Sequence, residues 1–352
     1  MKSDKTVPQA HGRADDLTPA TATDAWLFGK GTHARLFNWL GAHPALAGFR
    51  FAVWAPNARA VSVVGDWNHW DANADPLTQS GAHDGTWHGR IPAAKVGDLY
   101  EFSVTASEGH TTLKADPFAT SAECPPLTAS RIHVPAYAWG DAAWMGARAA
   151  RNAQHEPVSI YELHLGSFRR RDGATLSCRE LAPLVAEHAL DMGFTHVELM
   201  PITEHPFYAS WGYRTTGYFA PTARYGAPDD LMFVIDYLHR KGVAVLLDWV
   251  PGHFPTDEFG LQAFDGMHLF EHADPRQGFH PEWNSSIFNF DRGEVRSFLL
   301  SSATYWLETF HFNGLRVDGV ASMLYLDYAR KPGEWVANRH GGRENLGAVR
   351  FL

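Results

Sequence analysis

The chain has 352 residues, 45% of them hydrophobic and 20% charged, enough apolar material for two or three domains with real cores. Lys and Arg number 30 against 39 Asp and Glu, a formal charge of −9, and no run of five or more like charges interrupts the mixture, which argues against a nucleic-acid or anionic-membrane surface. The two cysteines, Cys124 and Cys178, fit neither a disulfide framework nor a zinc knuckle, and no stretch approaches eighteen uninterrupted apolar residues, so a cytoplasmic protein in a reducing compartment is expected, with no membrane and no nucleic-acid partner.

Residues 1–25 are rich in Thr, Ala, Asp and Pro without periodicity and read as a disordered leader. Residues 26–135 follow as an all-β unit. The run FRFAVWAPNARAVSVVGDWNHWD holds two alternating stretches broken by Ala-Pro-Asn, and further runs at 86–91 and 99–105 are bounded by Gly, Asp or Pro. Short strands at this density imply an immunoglobulin-like sandwich. Residues 136–158, with Trp139 and Trp144, read as a connector. Aromatic residues make up 13% of the chain, and several Trp stand beside Gly, Asn, Asp or Pro. Most are core, but flat rings with a polar tip also suit sugar faces, a role assigned to roughly a quarter of them.

From residue 159 the pattern changes to strand, long loop, helix, strand. SIYELHL reads as a buried strand. Ser177 with Glu180 forms a capping box for the next helix, Gly193 closes it, and Pro183 implies a kink or a late start. THVELMPI is the second strand. The helix after it carries Pro228 in its first turn, Asp229 and Asp230 at its start, an apolar face of Leu231, Val234, Ile235 and Leu238, and basic residues at its end. VAVLLD is a continuous apolar run, as a parallel strand covered on both faces requires. A helix over 293–310 leads to GLRVDGV, the fourth strand. A complete eight-unit barrel needs roughly 250 residues, and residues 159–352 offer only four strands. The alternatives are an open doubly wound sheet or a chain that stops halfway round a barrel.

The sharpest chemical signal is charge at the carboxyl ends of these strands. Alternation in GLRVDGV puts Arg316 and Asp318 on one face, where the guanidinium keeps the carboxylate ionised, as a carboxylate nucleophile needs. The third strand ends in Asp248, its loop WVPGHFP carries His253, and the loop after strand two presents Trp211 and Tyr213 for stacking on a ring. Alone, the Arg–Asp pair reads equally as a structural ion pair, and a lone histidine as a satisfied polar group. Converging at one rim of successive parallel strands, these groups mark the place where such folds put their sites. His268 and His272 are four apart, but without a third ligand they make a weak metal signal, and no metal is expected.

At these residues the sequence resembles the alpha-amylase superfamily of glycoside hydrolases, and within it the 1,4-alpha-glucan branching enzymes. DWVPGHFP, GLRVDGVASMLYLDY, SWGYRTTGYFAPTARYG, EHADPRQGFHPEWNS and KPGEWVANRHGGRENL carry the likeness, and VWAPNARAVSVVGDWNHWD is similar to the family's carbohydrate-binding sandwich. The resemblance implies a multidomain chain, with a carbohydrate-binding module followed by the first half of a (β/α)8 TIM barrel over 159–352. It implies Asp318 as the nucleophile, Arg316 as the group that orients it, Asp248 and His253 as donor-sugar ligands, and Tyr213 as the stacking ring. The reaction would be cleavage of an alpha-1,4 bond and transfer to a 6-hydroxyl of an alpha-glucan by retaining double displacement, with no cofactor.

The chain departs from the family's pattern in three places. Arg214 stands where the family usually has Gln, and Gly252 and Gly319 where Ala is frequent. The family's general acid, a Glu on the fifth strand, has no counterpart before Leu352, and Glu334 and Glu344 do not match its motif. The expectation is therefore an N-terminal fragment or a prematurely ended frame, with little or no activity alone. Its half-barrel would expose edges that favour association. The competing expectation is a non-catalytic glucan-binding remnant. A debranching or trehalose-releasing hydrolase fits less well, because of ASMLYLDY after Asp318.

Overall fold

The computed structural model describes residues 21–81, 84–151 and 155–352. Of the expected leader, residues 1–20 lie outside the described residues. Residues 22–25 are not leader but the first turn of α1 (Ala22–Lys30), which Thr21 and Asp24 start with a capping box and Gly31 ends at φ 80°. The helix is held by α7 (Gly293–Thr309), whose Ser297 hydroxyl donates to the Phe28 carbonyl at 3.0 Å.

The β-rich unit is a pair of antiparallel sheets. Its strands in chain order are β1 (Gly41–Pro44), β2 (Phe49–Trp54), β3 (Ala58–Gly65), β4 (Thr78–Gln79), β5 (Thr86–Ile91), β6 (Leu99–Ala106), β7 (Thr111–Lys114) and β8 (Ser130–Arg131). One sheet runs β1-β2-β5-β4 and the other β3-β6-β7, with β8 on β6. Inward residues of the two sheets meet across the gap, as where the Phe51 and Tyr100 rings pack edge-on at 5.0 Å.

In the same layer Asp116 is buried, accepting from the Tyr100 hydroxyl at 2.6 Å and the Phe118 N–H at 2.8 Å. Burial pushes its carboxyl up to about 6, against the pull of those two bonds. A folded value above the 3.8 of the free group means the protonated form favours folding. This contribution is present below about pH 4 and lost as pH rises through about 6. Urea midpoints measured across that window are expected to fall more steeply for the native chain than for Asp116→Asn. Equal slopes would contradict the assignment.

The connector is partly helical, α2 (Ala142–Arg151). Just before it, Asp141 Oδ2 lies 2.8 Å from His239 Nδ1 and 2.9 Å from His311 Nδ1, and the rings of Trp144 and Trp139 stack on those two imidazoles. These contacts fasten the connector to the α/β unit.

The α/β unit opens with β9 (Ile160–Leu163), α3 (Leu165–Phe168), the ribbon β10 (Arg170–Arg171) and β11 (Ala174–Thr175), and α4 (Cys178–Asp191). Helix α4 begins directly after Ser177, whose capping box with Glu180 forms as expected, so Pro183 is carried inside it and does not delay its start. Then come β12 (His196–Leu199), β13 (Thr203–Glu204), β14 (Gly217–Pro221), α5 (Pro228–Arg240) and β15 (Ala244–Trp249). A long connection holds β16 (His253–Pro255), α6 (Pro275–Gly278), β17 (Phe279–His280) and β18 (Ser285–Ile287). After α7 follow β19 (Gly314–Val317), α8 (Val320–Leu324) and α9 (Leu346–Phe351).

The central sheet runs β19-β15-β12-β9 with every pairing parallel. Spatial order follows chain order without a reversal. A doubly wound sheet has a switch point where the order turns back. Its absence here makes the sheet an arc of a barrel. Leu163, Leu199 and Leu247 are buried in register, so the alternate residues, among them Glu162, Glu198, Asp248 and Arg316, face the other side, the inside of the arc. No helix among the described residues is long and apolar enough to cross a membrane.

Candidate active site

Register brings the first two charges together. Asp248 pairs with Arg316 across β15 and β19, and both alternate with leucines, so their side chains rise side by side. One guanidinium nitrogen, Nη1 of Arg316, lies 3.0 and 3.2 Å from the two oxygens of Asp248 and 2.5 Å from Oδ1 of Asp318. The Asp318 N–H continues the ladder to the Trp249 carbonyl at 2.9 Å, which fixes where that carboxylate begins. Gly319 follows at φ 64°, a left-handed conformation, so an Ala there carries strain as well as a methyl group.

The two carboxylates differ in setting. Asp248 is fully buried, and burial pushes its carboxyl up against the Tyr213 hydrogen bond and the Arg316 charge. Asp318 keeps 18% of its side chain exposed. Burial works against the Arg316 charge, but Asp248 and Asp318 outweigh it and hold the guanidinium above its ordinary value.

Tyr213 is tied at both ends. Its hydroxyl donates to Asp248 Oδ2 at 2.7 Å, and its carbonyl accepts from His253 Nε2 at 3.1 Å. Burial, then the Asp248 bond, raises the phenol far above its usual range, so it remains a donor. His253 is 6% exposed, and burial lowers its imidazole, opposed by Asp318. The loop that presents Tyr213 turns at Gly212, φ 96°, where a Cβ would meet the Pro201 carbonyl at 2.1 Å.

The structure thus brings Tyr213, Asp248, His253, Arg316 and Asp318 to one rim. Trp211, also expected to stack on a ring, is 59% exposed. Of the two acids that fail to match the family's motif, Glu334 closes a local turn on the Lys331 N–H at 2.9 Å, and Glu344 bridges to Tyr325. His268 Nδ1 lies 3.1 Å from Glu271 Oε1, an ion-pair geometry within its own loop.

Two groups of residues escape sequence reasoning. Trp283 sits 4.9 Å from the His253 ring and stacks on His280 at 3.8 Å, and its carbonyl accepts from Arg214 at 2.7 Å. Arg214 therefore acts on the Trp283 loop. Glu162 and Glu198 pair in register on β9 and β12, and their carboxylates lie with that of Asp248 within 4.8 Å of one another, so each could offer an oxygen to a cation. Burial, then the Asp248 and Glu162 charges, raises the Glu198 carboxyl. Glu at the matching place in SIYELHL and THVELMPI was the available signal.

Residues 39–119 match the model of carbohydrate-binding module 48 (isoamylase N-terminal domain). Over 94% of its length the chain is 61% identical to the 1,4-alpha-glucan branching enzyme of Albidiferax ferrireducens, covering 53% of it, and 60% identical to that of Aromatoleum aromaticum, covering 52%. The resemblance to the 1,4-alpha-glucan branching enzymes holds. The chain spans about half the length of the curated relatives it matches. Among solved structures, a putative alpha amylase from Salmonella typhimurium superposes at a TM-score of 0.65 with 26% identity, covering 81% of this chain and 44% of that one. A pullulanase from Paenibacillus barengoltzii, at 0.64 and 22% over 87% of this chain and 52% of its own, shares the fold. A β-sandwich followed by an arc of an amylase-type barrel is thus the architecture of this chain.

Proposed function

We propose that the chain carries the nucleophile-bearing half of an alpha-glucan branching site. The reaction is cleavage of an alpha-1,4 bond and transfer of the cut chain to a 6-hydroxyl with retention. One observation carries the reading: a single guanidinium nitrogen joins a buried carboxylate, capped by a tyrosine hydroxyl, to a second, partly exposed carboxylate at the same rim.

In this reading Asp318 attacks the anomeric carbon and Arg316, bonded to its Oδ1, aims it. Asp248 and His253 grip the donor sugar's hydroxyls, and the Tyr213 ring lies against its apolar face. Double displacement also needs an acid on the leaving oxygen, worth roughly 100- to 10,000-fold. None of the described acids at the rim matches it, so these 352 residues alone bind glucan without sustained turnover. Residues 26–135 serve as the carbohydrate-binding module, 136–158 as connector and 159–352 as the half-barrel, whose end strands β9 and β19 favour association. A cytoplasmic setting suits the free thiols of Cys124 and Cys178.

The match to a carbohydrate-binding module favours one second reading, a non-catalytic glucan binder. Native electrophoresis through glycogen, with iodine staining of amylose incubated with the same protein, tests both. Retardation with unchanged iodine absorbance is expected. Sustained loss of the iodine complex would overturn the missing-acid argument, and free migration would overturn glucan binding.

A further inference from the structure

We infer that Lys114, on the sandwich, is a positioning residue for the candidate active site. It fastens the chain that leaves His253, which makes the sandwich part of the site's scaffold as well as a separate binding module. The inference rests on the glucan-transfer reading for its purpose, though not for its geometry.

The connection between β15 and α7 runs from residue 250 to 292 and contains only short elements. A connection that long bears a large ordering entropy and needs tethers. It also carries two groups at the rim, His253 on β16 and Trp283 beside β18, and those strands pair His253 with Ile287 and Pro255 with Ser285. Whatever fixes the segment just after β16 therefore fixes both.

Lys114 ends β7 and is 3% exposed. Its ammonium donates to three backbone carbonyls of that segment, Glu258 at 2.5 Å, Gln262 at 2.8 Å and Gly260 at 3.4 Å. An ammonium has three N–H groups, and here each has an acceptor. No carboxylate among the described residues lies within ion-pair distance of it. A buried charge held by neutral carbonyls is costly and does little for stability that an apolar side chain would not do better, so its effect is to fix the backbone it grips. Burial lowers this ammonium to about 8, with the charges of Glu258, Glu271 and Asp265 acting against it, so at neutral pH it keeps its proton and all three bonds.

Three neighbouring contacts hold the same segment. The Ala115 N–H donates to the Phe259 carbonyl at 2.9 Å. The Asn57 N–H and Nδ2, from the turn between β2 and β3, both donate to Asp265 Oδ2, at 2.8 and 2.9 Å. At Gly266, φ 88°, a Cβ would meet that of Ala106 at 2.4 Å, so the backbone lies directly on the sandwich. Two separate places on the sandwich thus bind residues 258–266.

Hydrogen exchange on the full 352-residue chain, with NMR titration of His253, tests the role. In Lys114→Met, which keeps the stem and loses the donors, amides of 256–290 are expected to exchange about tenfold faster, while those of the β3–β6 pairing and α5 stay as in the native chain. The His253 midpoint, held low by burial, should rise toward its ordinary value. Asn57→Ala should shift the same amides in the same direction by less, and it decides the matter if Lys114→Met does not fold. Exchange that rises uniformly, or only within the sandwich, or a His253 midpoint that does not move, would overturn the positioning role. None of these readouts needs glucan or turnover, so their failure leaves the glucan reading standing, and free migration through glycogen leaves the clamp standing.

Discussion

Incubation with alpha-maltosyl fluoride is expected to add one maltosyl group covalently to the native chain and none to Asp318→Asn. In an ordinary glucan the leaving group is an alkoxide, which departs slowly unless an acid protonates it, and that acid has no match among the described residues at the rim. Fluoride leaves unprotonated with the electron pair of its bond to carbon while a carboxylate oxygen of Asp318 bonds to the anomeric carbon, so the first displacement proceeds with the groups present. The second displacement needs a base to activate the incoming hydroxyl. Without one, the glycosyl ester accumulates and shows in the intact mass. A non-catalytic binder would bind the same reagent and stay unlabelled.

Asp248 and Asp318, joined through one guanidinium, are expected to part company in stability. Asp248→Ala removes a fully buried carboxylate, strands the Tyr213 hydroxyl that donated to it at 2.7 Å, and leaves Arg316 with Asp318 alone. The loss should be about 2–4 kcal/mol in urea unfolding. Asp318→Ala leaves the Arg316 bonds to Asp248 in place, and Arg316 is 45% exposed, so water replaces what is lost and the change should stay below about 1 kcal/mol. Both substitutions should abolish labelling by the fluoride. A chain in which Asp318→Ala cost as much stability as Asp248→Ala would make the pair a structural ion bridge and remove the reason to see a poised nucleophile.

Most of the fold was legible because its signals are local. Pro228, the paired acids after it and the basic residues at its end mark α5 in the sequence itself, and Ser177 with Glu180 starts α4 despite Pro183. The choice between an open sheet and a barrel arc was not local. It needed the order of four strands in space, which pairing alone reveals. Helix α1 was hidden because its Thr21–Asp24 box stands at the end of a stretch without periodicity, and its stability comes from α7, far away in sequence.

The site divides in the same way. Arg316, Asp318 and Asp248 could be found because strand alternation and strand ends predict where they point. Trp283 could not, since it sits in an irregular loop and its neighbours, His253 and Gly319, arrive from other parts of the chain. Lys114 carried no signal in the sequence, because only docking of the sandwich against residues 258–266 buries it. Glu162 sat inside a run read as a buried strand and Glu198 inside the second strand, and only the open inner face of the arc shows that both carboxylates are admitted there.

Peptide mapping of the fluoride-treated chain by mass spectrometry bears most directly on the claim that a guanidinium-held aspartate at the end of β19 is the glycosyl acceptor. The maltosyl ester should be found on Asp318 and nowhere else. A label on Asp248, on Glu162 or Glu198, or on no residue at all would contradict it.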